Sequence, residues 1–146
     1  MNRWTKLFPL LTAWILIASI GLAACGGSAA TTSNQPVDVQ VNLTDFKIDS
    51  SLTTFKVGVP YHFVVKNNGA VAHELDILPP STEQLTPDQV TQTSLARIGG
   101  DQLPAGGSAT LDYTFTQAYP SGALEFACHL PGHYDAGMHT AIEVTQ

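Results

Sequence analysis

The chain has 146 residues, of which 44% are hydrophobic and only 12% are charged, and its formal net charge is −6 with histidine neutral. This composition is that of a globular protein, and the length suits one domain. The acidic balance, with no basic patch to neutralise phosphates, excludes a nucleic-acid-binding protein.

The first 24 residues are predicted to be a signal peptide of the lipoprotein type. An apolar run from Leu7 to Leu22 precedes Leu22-Ala23-Ala24-Cys25, which resembles a lipobox, where a lipidated cysteine becomes the new N-terminus. Lipidation of Cys25 would give two acyl chains, enough for stable attachment to a membrane. The alternative is an uncleaved transmembrane anchor, because 18 residues from Leu7 to Ala24 are near the lower limit for crossing a bilayer. Both interpretations export the domain to the outer face of the cell membrane or the periplasm.

Removal of this segment makes the chain more acidic. Loss of Arg3 and Lys6 leaves four basic against twelve acidic residues, a formal net charge of −8. Such a surface fits a basic protein partner, and its charge would mainly set the rate of encounter. Residues 25–36 are small, polar and uncharged, and predict a flexible tether.

From Val37 onward the sequence has the pattern of short β-strands separated by turns. Val37 to Leu43 alternates strictly between apolar and polar residues, which is typical of a half-buried strand. Strands are predicted over 37–43, 46–49, 55–57, 61–66, 72–78, 108–115, 123–128 and 140–144. A short helix is predicted from Pro87 to about Arg97, with Thr86 as its N-cap. The prediction is an all-β domain over residues 37–146, a Greek-key β-sandwich of seven to eight strands with one helical excursion.

A stretch near the C-terminus carries a thiol, an imidazole and a thioether at regular intervals. Cys128, His133 and Met138 are separated by four residues each, and Pro131-Gly132 marks a tight turn. The loop can therefore fold back and direct three side chains at one point. A thiolate, imidazoles and a weak thioether are the ligands of a trigonal copper site, and His73 is the candidate for the second histidine.

This loop resembles the C-terminal copper loop of the cupredoxins, the plastocyanin and azurin family. Its Cys-x4-His-x4-Met spacing is most similar to that of rusticyanin and auracyanin, and the resemblance covers roughly Val37 to Gln146. The resemblance implies four ligands of one type 1 copper ion: nitrogens of His73 and His133, the thiolate of Cys128 and a weak axial sulfur of Met138. The residue after the first histidine is frequently Asn in this family. Here it is Glu74, so the surroundings of the thiolate are expected to differ.

Cysteine usage supports a metal site. If the lipobox takes Cys25, Cys128 is the only other cysteine, and an unpaired cysteine in an exported protein needs an explanation. Metal ligation supplies one, because a coordinated thiol is held as thiolate. A buried, inert thiol is the alternative.

The remaining histidines and nearby acids are expected to lie outside the ligand set. His129 and His139 flank ligands but should point away, because adjacent residues on an extended chain face opposite sides. His62 is expected to be structural. Glu74 and Asp76 are expected to be solvated or to lie just behind the ligands.

A site with four protein ligands and no evident open position favours electron transfer over catalysis. The sequence thus predicts a membrane-tethered, monomeric blue copper protein that carries single electrons between redox proteins at the same membrane and is not an enzyme. A second hypothesis is an exported copper chaperone or copper-resistance protein, suggested by His129, His139 and Glu74. A third is an accessory domain that binds no copper.

Overall fold

The computed structural model describes residues 35–146. The predicted signal peptide over residues 1–24, the lipidated Cys25 and most of the predicted tether lie outside the described residues. Within the described range, no helix is both long enough and apolar enough to cross a bilayer.

Residues 35–146 form a two-sheet β-sandwich with one short helix. The strands are β1 (Val37–Thr44), β2 (Lys47–Ser50), β3 (Thr54–Lys56), β4 (Pro60–Asn67), β5 (Leu75–Leu78), β6 (Ala96–Ile98), β7 (Ser108–Thr114), β8 (Tyr119–Ala127) and β9 (His139–Thr145), and the helix is α1 (Pro87–Thr93). One sheet has the order β2-β1-β4-β7 and the other β3-β9-β8-β5-β6. Most neighbours are antiparallel, but β1 runs parallel to β4 and β3 parallel to β9. The predicted all-β sandwich is confirmed.

The core forms because each strand turns one face inward. In β1, Val39, Val41 and Leu43 are buried while the residues between them are exposed, as the alternation predicted. An aromatic cluster fills the space between the sheets, and its members Phe55, Phe63, Phe115 and Phe126 are fully buried. Each such ring stabilises the fold by roughly 1.5–3 kcal/mol relative to an exposed one. The packed core fixes the strand ends from which the site is built.

The helix is shorter than predicted, and an additional strand follows it. α1 ends at Thr93, and the next residue, Ser94, already has extended backbone. The predicted helix end near Arg97 was wrong, because this segment is β6, which pairs antiparallel with β5 at the edge of the sheet. This raises the number of strands to nine within the described part of the chain. The predicted N-cap is confirmed: the Thr86 side chain accepts a hydrogen bond from the backbone of Gln89.

Candidate metal centre

Three predicted ligands meet at one end of the sandwich. His73 lies in the loop between β4 and β5, Cys128 directly follows β8, and His133 lies in the loop before β9. One donor atom from each lies within 4.8 Å of the others. His133 Nδ1 is 3.2 Å from His73 Nδ1 and 3.3 Å from Cys128 Sγ. His73 was expected to begin a strand, but β5 starts two residues later, at Leu75.

The loop from Cys128 to Met138 closes on itself through its backbone. The N–H of Cys128 donates to the carbonyl of Met138, and the N–H of Met138 donates to the carbonyl of His133, both at 3.0 Å. Gly137 has φ of 94°, a left-handed conformation that favours glycine. The Met138 side chain is fully buried in the same core cluster as Cys128. The backbone of Met138 is thus held next to Cys128 and His133 by hydrogen bonds within the loop.

The thiol of Cys128 is fully buried and has a defined donor. The backbone N–H of Glu74 lies 3.4 Å from Cys128 Sγ, where it can donate a hydrogen bond to the sulfur. Burial raises the pKa of the Cys128 thiol to about 11, so the metal-free protein holds a neutral thiol at neutral pH. A metal that binds here must displace this proton, and the Glu74 N–H then stabilises the thiolate.

His133 is the donor residue closest to solvent. Its ring is only partly buried, whereas His73 and Cys128 are fully buried. Burial, and after it the neighbouring His73, lower the pKa of His133, which favours the neutral imidazole that can ligate a metal. Phe46 packs edge-on against this ring with centroids 5.3 Å apart. Phe46 was predicted to begin a strand, but it lies in the turn between β1 and β2 with φ of 66°.

The donor set fits a transition-metal ion. Atoms separated by 3.2 and 3.3 Å have the spacing of ligands on one ion, because metal–nitrogen bonds are ~2 Å long. One sulfur and two imidazole nitrogens form a donor set of three. Soft and borderline metal ions bind such donors, whereas Mg²⁺ and Ca²⁺ prefer oxygen ligands.

A buried group of charges lies behind the thiol. Arg97 Nη2 is 3.0 Å from Glu74 Oε2, and Arg97 Nε is 3.1 Å from Asp76 Oδ1. Glu74 Oε1 also accepts a hydrogen bond from the backbone N–H of His129 at 2.9 Å. Burial, with the Glu74 carboxylate nearby, raises the pKa of Asp76 to about 8. Both acids are buried, so of the two predicted positions, solvated or just behind the ligands, the second is the one observed.

The two flanking histidines point away from the donor cluster, as predicted. Both rings stack on Tyr134, with centroid distances of 4.3 Å for His129 and 4.6 Å for His139. His129 Nδ1 accepts a hydrogen bond from the backbone N–H of Leu85, and His139 Nδ1 lies 3.3 Å from Glu125 Oε2. Neither ring is available to the cluster in this arrangement.

Two residues at the site, Arg97 and Asp45, were missed by the sequence analysis. Asp45 Oδ1 lies 3.2 Å from Nε2 of His73, on the side of the ring opposite the cluster. No local signal marks Asp45, because it is 28 residues from His73 in a turn after β1.

Curated relatives of this chain are copper proteins of low sequence identity. No family profile matches the chain. The copper-resistant cuproprotein CopI of Pseudomonas aeruginosa is 28% identical over 144 residues, an alignment that covers 77% of this chain and 78% of that protein. The protein of the same name from Rubrivivax gelatinosus is 30% identical over 104 residues, covering 68% of this chain and 61% of that protein.

Solved structures with a similar fold include auracyanin and rusticyanin. Auracyanin A of Chloroflexus aurantiacus, described as a "blue" copper protein, has a TM-score of 0.57 at 17% identity, covering 76% of this chain and 100% of its own. Rusticyanin of Thiobacillus ferrooxidans has a TM-score of 0.54 at 18% identity, covering 76% of this chain and 79% of its own. The nine-stranded sandwich over residues 35–146, with two histidines and one cysteine at one end, has the cupredoxin fold.

Proposed function

We propose that this chain is a blue copper protein that carries single electrons. The observation that carries the proposal is the cluster of His73 Nδ1, His133 Nδ1 and Cys128 Sγ, whose atoms lie within 4.8 Å of one another. Met138, buried at the end of the same loop, would supply a weak thioether sulfur ligand. Copper bound by this ligand set supplies a one-electron couple between copper(II) and copper(I).

The arrangement of the protein suits electron transfer better than catalysis. His73, Cys128 and Met138 are fully buried, which leaves no evident place for a substrate beside the donors. The strand ends and the closed loop fix the donors, so a change of one charge requires little movement of the protein. His133 provides the shortest way to the surface, through a ring that Phe46 contacts edge-on.

Export and membrane attachment complete this proposal. We infer that Cys25 is lipidated and that residues 25–36 tether the domain at the outer face of the membrane. The acidic chain would then meet basic redox proteins at the same membrane, and charge attraction would speed the encounter. The relatives named as copper-resistant cuproproteins support a role in copper chemistry.

A second candidate function is copper resistance. Three curated relatives, at 27–30% identity, carry the name copper-resistant cuproprotein. The sulfur atoms of Cys128 and Met138 are soft donors that suit copper(I), so the same site could bind and deliver this ion.

Voltammetry of the copper-loaded protein separates the two functions. An electron carrier shows a reversible one-electron couple and retains its copper when a copper(I)-accepting chelator is added. A copper donor gives up the ion and shows no reversible couple. Failure of the protein to bind copper would contradict both functions.

A further inference from the structure

Asp45 contacts the ring of His73 at the nitrogen that faces away from the donor cluster. Its Oδ1 atom lies 3.2 Å from Nε2 of His73, whose side chain is fully buried, while Asp45 itself is 42% exposed. The other ring nitrogen, Nδ1, faces His133 Nδ1 at 3.2 Å. A carboxylate and the donor cluster therefore contact opposite nitrogens of one imidazole.

This contact selects the form of the ring that can bind a metal. A neutral imidazole carries its proton on one nitrogen and a free lone pair on the other. A carboxylate accepts hydrogen bonds, so it stabilises the proton on Nε2 and leaves the lone pair on Nδ1. Hydrogen bonds of this kind orient metal-binding histidines and raise their basicity.

Asp45 is itself held in place by the loop that carries His73. The backbone N–H of Ala70 donates to Asp45 Oδ1 at 3.0 Å and to Oδ2 at 3.2 Å. Gly69 permits the close approach, because a Cβ atom there would lie 2.5 Å from Asp45 Oδ1 and 2.6 Å from His73 Nε2. The side chain of Asn67 anchors the start of this loop by accepting a hydrogen bond from the Gly69 N–H at 2.8 Å.

We propose that Asp45 is a positioning residue of the metal centre, which fixes the Nε2-protonated form of His73 and, through its charge, favours copper(II) over copper(I). The effect on copper rests on the proposed function, whereas the effect on the His73 ring does not. The electrostatic reason is that a negative charge close to a ligand stabilises the more positive ion. The competing explanation is that Asp45 only caps the turn at Ala70.

Two variants and a matched control test the proposal. Asp45→Ala removes both the hydrogen bond and the charge, whereas Asp45→Asn keeps an acceptor oxygen and removes only the charge. The control is Asp112→Ala, which breaks a second aspartate–histidine pair, with Asp112 Oδ1 2.5 Å from His62 Nδ1, where the two side chains are 78% and 33% exposed. Nitrogen NMR of the metal-free protein reads the proton position on His73, and voltammetry with copper reads the potential.

We expect the wild-type His73 ring to carry its proton on Nε2, and Asp45→Ala to give a mixture of the two forms. Loss of such a partner typically weakens metal binding about 10–100-fold. If only the binding of copper(II) is weakened, each tenfold loss of affinity raises the reduction potential of the bound copper by about 59 mV. Asp45→Asn should keep the proton on Nε2 and still raise the potential, and the control variant should change neither property.

The proposal is overturned if Asp45→Ala leaves both the ring proton and the potential at their wild-type values, even when the variant is less stable. That result would assign Asp45 to the turn alone. Because the proton position is read without metal, it decides the positioning role even if the protein binds no copper. Failure of copper binding would then overturn the proposed function and the charge effect, with the role in ring orientation decided separately.

Discussion

Two carboxylates and one guanidinium are packed behind the thiol of Cys128, and their charges must nearly cancel. Glu74 and Arg97 form an ion pair, while Asp76 contacts the same Arg97 from a fully buried position. A second buried negative charge would be costly, because desolvation disfavours ionised groups. The raised pKa of Asp76, about 8, follows from this burial and from the nearby Glu74.

The titration of Asp76 predicts a specific dependence of stability on pH. Its pKa is about 8 in the folded protein, against 3.8 for an ordinary aspartate, so the folded state holds the proton more tightly than the unfolded chain. The stabilisation is fully present below pH ~4 and is lost as pH rises through about 8, by up to about 1.4 kcal/mol per pH unit. Asp76→Asn, which mimics the protonated form, should flatten this decline in denaturant unfolding of the metal-free protein.

The exposed Asp38 offers a control for this experiment. Asp38 lies on the solvent side of β1, and Asp38→Asn should leave the pH profile of the unfolding free energy unchanged. A profile of Asp76→Asn that matches the wild type between pH 5 and pH 9 would show that Asp76 is ionised throughout, contrary to expectation.

Loss of Arg97 should leave two buried acids without their cation. We expect Arg97→Met to lower the free energy of unfolding by roughly 3–5 kcal/mol, the range for breaking a buried ion pair. The partial exposure of Arg97, at 31%, favours the lower end of that range. Adding Glu74→Gln to this variant removes the carboxylate that pairs with Arg97 and should restore part of the stability, and a double variant no more stable than Arg97→Met would contradict the coupling.

For single residues, the sequence predicted the donors but not their surroundings. Cys128 and His133, which the fold brings together with His73, follow one another at a recognisable spacing, so local sequence identifies them. Asp45 and Arg97 approach the site from distant turns and strands, and only the completed sandwich brings them there. Their contacts with His73, Glu74 and Asp76 span more than twenty residues of sequence, so no local pattern marks them.

Among the elements, the loop that joins β8 to β9 determines the geometry of the donors. Its two ends are tied by the hydrogen bond from the Cys128 N–H to the Met138 carbonyl, and Gly137 supplies the left-handed bend just before Met138. The position of Met138 therefore depends on the backbone conformation of Gly137. Space is not the constraint there, because a Cβ atom at this position would have no neighbouring atom within 4 Å.

Gly137→Ala should strain this bend and disturb the site. A non-glycine residue in such a conformation costs about 1–3 kcal/mol, so unfolding should become easier by that amount. The copper spectrum should change as well, because Met138 moves. Gly58→Ala is the matched control: Gly58 also has a positive φ, 76°, and open space around it, but it lies in the turn before β4. If both variants lose stability and neither alters the spectrum, the loop does not control the site.

The elements also show where sequence patterns mislead. The strict alternation in β1 predicted its buried face correctly, because the pleat alone decides which side chains face the core. The segment after α1 was mistaken for helix, since Leu95 and Ile98 are compatible with a helical stripe. Pairing of Ile98 with Leu75 on a neighbouring strand, a contact over more than twenty residues, decides in favour of β6.

For the whole molecule, the two sheets enclose a fully buried aromatic core, and the same sheets carry the donor cluster. Three donor atoms already lie within 4.8 Å of one another, held by two sheets and a closed loop. We therefore expect the metal-free protein to stay folded and copper to stabilise it further. At a free copper concentration 100 times the dissociation constant, the gain is about 2.7 kcal/mol.

Thermal unfolding before and after removal of copper by a chelator tests this expectation. Chelation should lower Tm without loss of the β-rich circular dichroism spectrum at low temperature. His133→Ala should lose most of the rise in Tm on copper addition. Unfolding of the wild type at room temperature on chelation would show that the metal, not the aromatic core, organises the fold.

The most direct test of the central assignment is the visible absorption and electron paramagnetic resonance of the copper(II)-loaded protein beside its Cys128→Ser variant. A thiolate bound to copper(II) gives an intense visible charge-transfer band, which we expect in the wild type and not in the variant. A colourless wild-type protein that tightly holds one copper ion, or two identical spectra, would contradict ligation by Cys128.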